Sequence, residues 1–310
     1  MRTVINLLIT AAIILATGAL IFWLWQRQPK GVEQKQENKP QITLENPKED
    51  KTTTTLLTSP KDNDVVLENV VKFTGKSSQG DKILIISDST TDVAATNSDG
   101  SFSLEEKLSD GLNLIKIVAL DKDLKETKNQ IVSFYYQKDT KVKNTKVIAG
   151  TVSKIFDNLI TVSATSGDQN VRTNTQTVKS APKPAATKSP TPPPKSGSMD
   201  IRVGDYVVAL GNPSSANELI ASSVEIIRDN KPQITTKYVA ITVSSVVKSK
   251  IFSGNNIQDT KLVEFKLGKT NIIDTDKKAD EKAIVKNKKA IIFYTTQNNE
   301  NIVSLVYILP

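Results

Sequence analysis

The chain contains no cysteine and no histidine. Their absence removes disulfides, thiolate and imidazole metal ligands, Cys and His nucleophiles and the imidazole general base. It does not fix the compartment, because a reducing cytosol and a surface protein with well-packed cores both tolerate it. Aromatic residues are scarce, at 5%, whereas Val, Ile and Thr are common, a balance that favours strands over helices. No Gly-rich phosphate loop is present, which removes nucleotide chemistry of that kind.

What the chain does have is one long apolar run. Val4 to Trp25 passes 22 residues without a charge, enough helix to cross the roughly 30 Å hydrocarbon layer, with Trp23 and Trp25 where indoles favour the interface. A cleaved leader would end sooner. The small pair with cleavage spacing, Thr17 and Ala19, lies inside the apolar core, which continues to Gln26. Lipoprotein processing needs a cysteine, and the Gly and early Glu of a pilin are missing. The expectation is a cytoplasmic tail at 1–3, too short to hold a signalling domain, and an uncleaved transmembrane helix at 4–25. Arg2 on one side and Arg27, Lys30 and Lys35 with Glu33 on the other leave the flanking charges undecided on orientation.

Residues 26–53 are rich in Gln, Lys, Glu, Asn, Pro and Thr. They bury too little to fold and read as a disordered stalk. From 54 to 138 short alternating runs are punctuated by turn residues, giving seven candidate strands and the pattern of a β-sandwich. Phe102, Leu104 and Leu108 fall on one face of a half-buried strand. Asp99-Gly100 and Asp110-Gly111 each read as a tight turn joining neighbouring antiparallel strands. Ile83 to Ile86 and Leu112 to Leu120 are apolar on both faces, which fits either central strands or a surface covered by a neighbouring domain.

Ser59-Pro60, Val71-Lys-Phe-Thr-Gly75, Asn97-Ser-Asp-Gly-Ser-Phe-Ser103 and Gly111-Leu-Asn-Leu-Ile-Lys-Ile-Val-Ala-Leu-Asp121 together resemble the bacterial immunoglobulin-like domains of surface proteins and secreted glycosidases. The resemblance spans about residues 55–137. It implies an Ig-like sandwich outside the cell that serves as a spacer or adhesive module, and no activity. It also implies that the C-terminal domains are extracytoplasmic.

Residues 146–230 and 237–310 read as two further β domains. Gln169 to Ser198 carries no acid and has Pro at 182, 184, 190, 192, 193 and 194, so 169–198 reads as a disordered or polyproline insert within the first. Asp200-Ile-Arg-Val-Gly-Asp-Tyr-Val-Val-Ala-Leu-Gly211 resembles the turn signature of a small, OB-like bacterial β-barrel family of unknown function. In that reading Gly204 makes the turn, Asp205 bonds its amides, and Val207, Ala209 or their alternates enter the core. A weak internal repeat sets Val239–Val246 beside Val147–Lys154, Ala290–Thr295 beside Tyr206–Gly211, and Glu300–Ile308 beside Glu218–Ile226. The second copy has diverged, with Val285-Lys-Asn-Lys-Lys289 where Val-Gly-Asp would stand. The fold class is therefore all-β: a sandwich and two small barrels behind one N-terminal transmembrane helix.

Charge is uneven. Residues 52–140 hold 10 Lys and Arg against 14 Asp and Glu, whereas 141–310 hold 24 against 14. Lys282, Lys286, Lys288 and Lys289 form a candidate patch for an anionic partner, with Lys277 and Lys278 close in sequence. Phe252, Phe265, Phe293, Tyr294 and Tyr307 could stack on bases in a nucleic-acid reading, which an exterior location disfavours. Ser245 and Lys248 match the Ser-x-x-Lys spelling, but that pair needs a helical turn and here stands in a β-rich run. Asp62/Asp64 and Asp121/Asp123 lack a complete calcium loop. No catalytic residue, metal or cofactor is assigned. The sequence supports a non-catalytic, membrane-anchored spacer, adhesion or scaffold protein of the bacterial envelope whose partner is an envelope protein or an anionic wall polymer. The alternatives are a binder of anionic polymer or nucleic acid through the distal barrels, and an accessory subunit of an envelope enzyme complex.

Overall fold

The computed structural model describes residues 56–138, 144–180 and 200–310. The expected tail, anchor and stalk and the Pro-rich stretch 181–199 lie outside them. No helix among the described residues is long and apolar enough to cross a membrane. Strand accounts for 62% of the structure and helix for 1%, so every core is built from sheet faces.

The first domain holds β1 (Leu57–Ser59), β2 (Val65–Val66), β3 (Val70–Lys76), β4 (Lys82–Ile86), β5 (Thr91–Ala95), β6 (Ser101–Lys107), β7 (Gly111–Leu120) and β8 (Glu126–Tyr136). They form a three-stranded sheet, β1-β3-β6, and a five-stranded sheet, β2-β8-β7-β4-β5. The inner faces share one core, in which Phe73, Phe102, Ile83, Ile85, Ile117 and Phe134 are buried. Phe73 and Phe134 meet edge to face, 5.4 Å between centroids, the arrangement that ring quadrupoles favour. The two Asp-Gly turns do not join paired neighbours. β6 pairs with β3, whereas β5 and β7 both pair with β4, so each turn carries the chain from one sheet to the other. Turn chemistry reverses the direction of the chain but does not choose the sheet that receives it.

The first barrel holds β9 (Lys146–Phe156), β10 (Leu159–Ala164), β11 (Gly167–Arg172), β12 (Val178–Ser180), β13 (Tyr206–Ser215) and β14 (Glu218–Ile227). The ladder β11-β10-β9-β13-β14 closes through a parallel pairing of β11 with β14. Gln169–Ser180, expected within the insert, instead supplies β11 and β12. Val171 is buried in the barrel while Val178, the other apolar side chain of these strands, is exposed, so the alternation that marks a strand is nearly silent there. The expected insert therefore shortens to the residues beyond Ser180.

The second barrel repeats this order with β15 (Lys237–Val243), β16 (Ile251–Asn256), β17 (Leu262–Asp274), β18 (Lys277–Lys278), β19 (Lys289–Gln297) and β20 (Glu300–Ile308), plus a 3₁₀ turn at Glu281–Ala283. β17 pairs in parallel with β20 in two parts, with a register shift between Leu267 and Asn271. It thus does the work that β11 and β12 share. Gly204 N donates to Val152 O at 2.9 Å and Val152 N to Asp205 O at 2.8 Å; Asn287 N and Val243 N make the same bonds, to Val243 O and Lys288 O, both at 2.8 Å. Two segments of the expected repeat therefore slip by one residue: Val239 matches Ile148 and Ala290 matches Val207. In strands such a slip exchanges the two faces. The third segment stands as expected, Ile226 opposite Val207 and Ile308 opposite Ala290.

Both barrels dock on the outer face of the five-stranded sheet, and they use the same face to do so. Val147, Ala149, Tyr206, Val208 and Leu210 of the first pack with Val65, Leu112 and Tyr135. Ala240, Ile291, Phe293, Leu305 and Tyr307 of the second pack with Leu84, Ile86, Val118 and Leu120. Under the corrected register Ala149 matches Ala240, Val208 matches Ile291 and Leu210 matches Phe293. The two-faced apolarity of β4 and β7 thus has both expected causes, central position and a docked neighbour.

Gly211 sits where β13 passes over β14: a Cβ there would lie 2.0 Å from Ile220 O, a backbone atom that cannot turn aside. Gly211→Ala is expected to destabilise the domain by about 2–3 kcal/mol in urea unfolding. Gly268→Ala, whose Cβ would press on the Ile302 Cγ2 methyl at 3.2 Å and meet Val303 O at an ordinary 3.9 Å, should stay within about 1 kcal/mol.

Candidate functional site

The turn signature folds as a small polar lock. Gly204 takes φ +93°, a region costly for a residue with a Cβ, and Asn287 fills the equivalent place at φ +69°, as a short polar side chain can. Buried Asp205 accepts from Arg202 N at 2.9 Å, as expected, and also from Arg228 Nε at 3.0 Å and Nη2 at 3.2 Å, a partner that the signature did not reveal. Burial would raise the Asp205 carboxyl, but the Arg228 guanidinium and the Arg202 amide hold it below the usual carboxylate range. Gly211 serves packing, and Val207 and Ala209 enter the barrel core.

Lys282, Lys286 and Lys289 are exposed and Lys288 is half-buried. Lys282 and Lys286 lie in the connection from β18 to β19, Lys288 ends it, and Lys289 opens β19. Of the four, Lys288 approaches a carboxylate, with Nζ 3.9 Å from Asp274 Oδ1, too far for a hydrogen bond. Phe252, Phe265, Phe293 and Tyr307 are buried, each at 2% exposure or less, so none of these rings can receive a base. The Ser245 hydroxyl accepts from Ser253 N at 2.9 Å and closes a hairpin. Lys248 N bonds Ile251 O in the same hairpin at 2.9 Å.

The acid pairs hold turns and seams. Asp62 Oδ1 accepts from Ser133 N at 2.7 Å, and Asp64 Oδ1 lies 2.5 Å from Lys146 Nζ, tying the first domain to the first barrel. Asp121 Oδ1 accepts from the amides of Asp123 and Lys125, both at 2.9 Å. Among the described residues no group of three or more Asp or Glu could hold a metal ion. Across the other seam, Asp88 Oδ1 accepts from Thr235 N at 2.8 Å and from Thr236 N at 3.2 Å. The Tyr238 hydroxyl donates to Glu126 and that of Tyr307 to Asp276. Lys116 and Lys82 each place Nζ 5.5 Å from a ring centroid, of Tyr238 and Tyr307 respectively, a cation–π geometry. Burial and the bond to Glu126 push the Tyr238 phenol well up, so it stays a donor. Burial raises Tyr206 to about 12.

The residues brought together without any signal in the sequence lie on the outer sheet face between the barrels. Ile86, Lys116 and Ile131 stand directly opposite one another on β4, β7 and β8, and with Leu114 they floor a cleft of about 590 Å³. Its walls come from the linker at Gln233 and Ile234 and from Tyr238 and Tyr294. A second cleft of about 300 Å³ shares Leu114 and Gln233. No protein-family model matches the chain and no curated protein is similar to it, so neither resemblance drawn from the sequence has a family match behind it.

Glu106 is the one buried side chain left half-satisfied among the described residues. It is 5% exposed; one oxygen takes the Thr90 hydroxyl and Oε1 has no partner. Burial raises its carboxyl, the Thr90 bond opposes that, and the Asp92 charge adds to it. A carboxyl raised by folding destabilises the native state when ionised, fully above its folded pKa and not at all below its unfolded value of about 4.3. Glu106→Gln is therefore expected to raise stability at pH 7, with the gain shrinking as urea titrations are run at pH values descending to about 4.

Proposed function

We propose that this chain is a membrane-anchored, extracytoplasmic protein of the bacterial cell envelope that works without catalysis as a spacer, adhesion or scaffold module. In this reading 4–25 is the membrane span, 26–53 the spacer and 54–138 an immunoglobulin-like sandwich. The strand order first, second, third, fifth, fourth, closed by a parallel pair, supports OB-like barrels. The observation that carries the reading is the double docking: both barrels bury apolar faces on one sheet, which makes three modules a single stiff body suited to holding a surface at a fixed distance. Accessory service to an envelope enzyme complex would use the same stiffness.

An anionic envelope polymer as partner is a second reading. It is favoured by the shared, exposed connection that bears Lys282, Lys286, Lys288 and Lys289. Four of the five candidate rings, Phe252, Phe265, Phe293 and Tyr307, are buried, which leaves Tyr294 and charge and suits a wall polymer better than nucleic acid.

Protease added to intact cells is expected to remove a C-terminal epitope by cutting within 26–53; protection until lysis would sink the exterior reading. For the second reading, binding to a wall polymer should fall steeply with added salt, and replacing Lys286, Lys288 and Lys289 with Gln should abolish it. Binding unchanged in that variant would exclude the patch.

A further inference from the structure

β7 reads out the arrangement of the domains along its outward residues. Leu112 lies under the first barrel, Val118 and Leu120 lie under the second, and between them Leu114 and Lys116 floor the open cleft. Ile131 beside them is 44% exposed, an apolar floor without a cover. Thr165, from the turn after β10, completes the wall on the side of the first barrel, so the cleft exists only when all three domains are packed.

Its volume, about 590 Å³, lies in the range of small-molecule sites, about 300–1,000 Å³. Its lining is chiefly apolar and aromatic. Its two charged residues are Lys116 and Lys237, and no carboxylate lines it. Glu126, which takes the Tyr238 hydroxyl, holds that ring in place and offsets part of the Lys116 charge. Lys237 Nζ reaches Thr296 Oγ1 at 3.4 Å and meets no acid there. An apolar floor with ammonium groups above it disfavours a cation, and a neutral ligand would leave both ammonium groups unused.

We infer that this cleft binds a small amphiphilic anion, whose apolar body covers Leu114 and Ile131 between Tyr238 and Tyr294 and whose carboxylate or phosphate takes Lys116 and Lys237. The inference goes beyond the scaffold reading and does not depend on the side of the membrane. A ligand held this way adds a bridge beside the polar ties of Asp88 and Glu126, and it would tighten the packing of the domains by mass action.

The test uses the full chain in its membrane and the photoreactive anion 4-benzoylbenzoate, with neutral 4-methylbenzophenone as the comparison and labelled peptides mapped by mass spectrometry. The expected result is label on peptides carrying Leu114, Ile131 or Tyr238, about tenfold heavier with the anion than with the neutral probe, the factor for one charge-assisted hydrogen bond. Ile131→Asp, at an exposed position, should remove it, and Lys116→Gln should lower it about tenfold. Should Lys116→Gln fail to fold, exposed Lys237→Gln gives the same reading without loss of packing. Equal labelling by the two probes, labelling confined to other segments, or none in the folded chain would each overturn the inference.

Discussion

Everything in this molecule depends on one sheet being apolar on both sides. A sheet of a two-layer domain ordinarily turns polar residues to water on its outer face. Here Leu84, Val118 and Leu120 point outward and are fully buried against another domain. That surface would be an association hazard if left bare. Covered, it joins three small β units, each with limited core of its own, through two apolar clusters at the seams.

The two barrels are related more closely by what they touch than by their residues. They keep the closure through parallel strands and the same docking face, while the turn at Gly204 is rebuilt around Asn287 and the glycine at 211 has no glycine counterpart at 294. The features retained are those on which the common sheet acts. The polar lock of Asp205 with Arg228 has no counterpart in the second barrel, where Lys288 stands for Asp205 and Pro310 for Arg228.

Much of the fold was legible because its strands alternate: Phe102 and Leu108 inward, serines and lysines outward. The signal failed where its physical basis was weak. Gln169–Arg172 contributes one apolar residue to the barrel, so nothing in the local pattern separated it from the Pro-rich stretch that follows. The Asp-Gly turns marked reversals and could not say which sheet came next. The two-faced runs in β4 and β7 left a central position and a covering neighbour as equal readings, and the structure holds both. The candidate cleft was illegible altogether, because its lining is gathered from positions as far apart as Ile86 and Tyr294 and consists of residues that each have an ordinary explanation alone. The basic cluster was visible as composition; the withdrawal of four of the five candidate rings from any base was not, since burial decides that.

The connection that leaves β12 and returns before β13 has one end fastened to β14 and the other to the residue that follows it. Ser180 pairs with Glu225, and Arg228 Nη2, three residues on, donates to Asp200 O at 2.9 Å. β11 and β14, whose pairing closes the barrel, both lie outside that connection, and the entropic cost of closing a loop grows so slowly that doubling its length costs only about 0.6 kcal/mol. This is a permissive graft point: a lineage, or an engineer, could lengthen, shorten or replace the segment and leave the architecture beneath it intact.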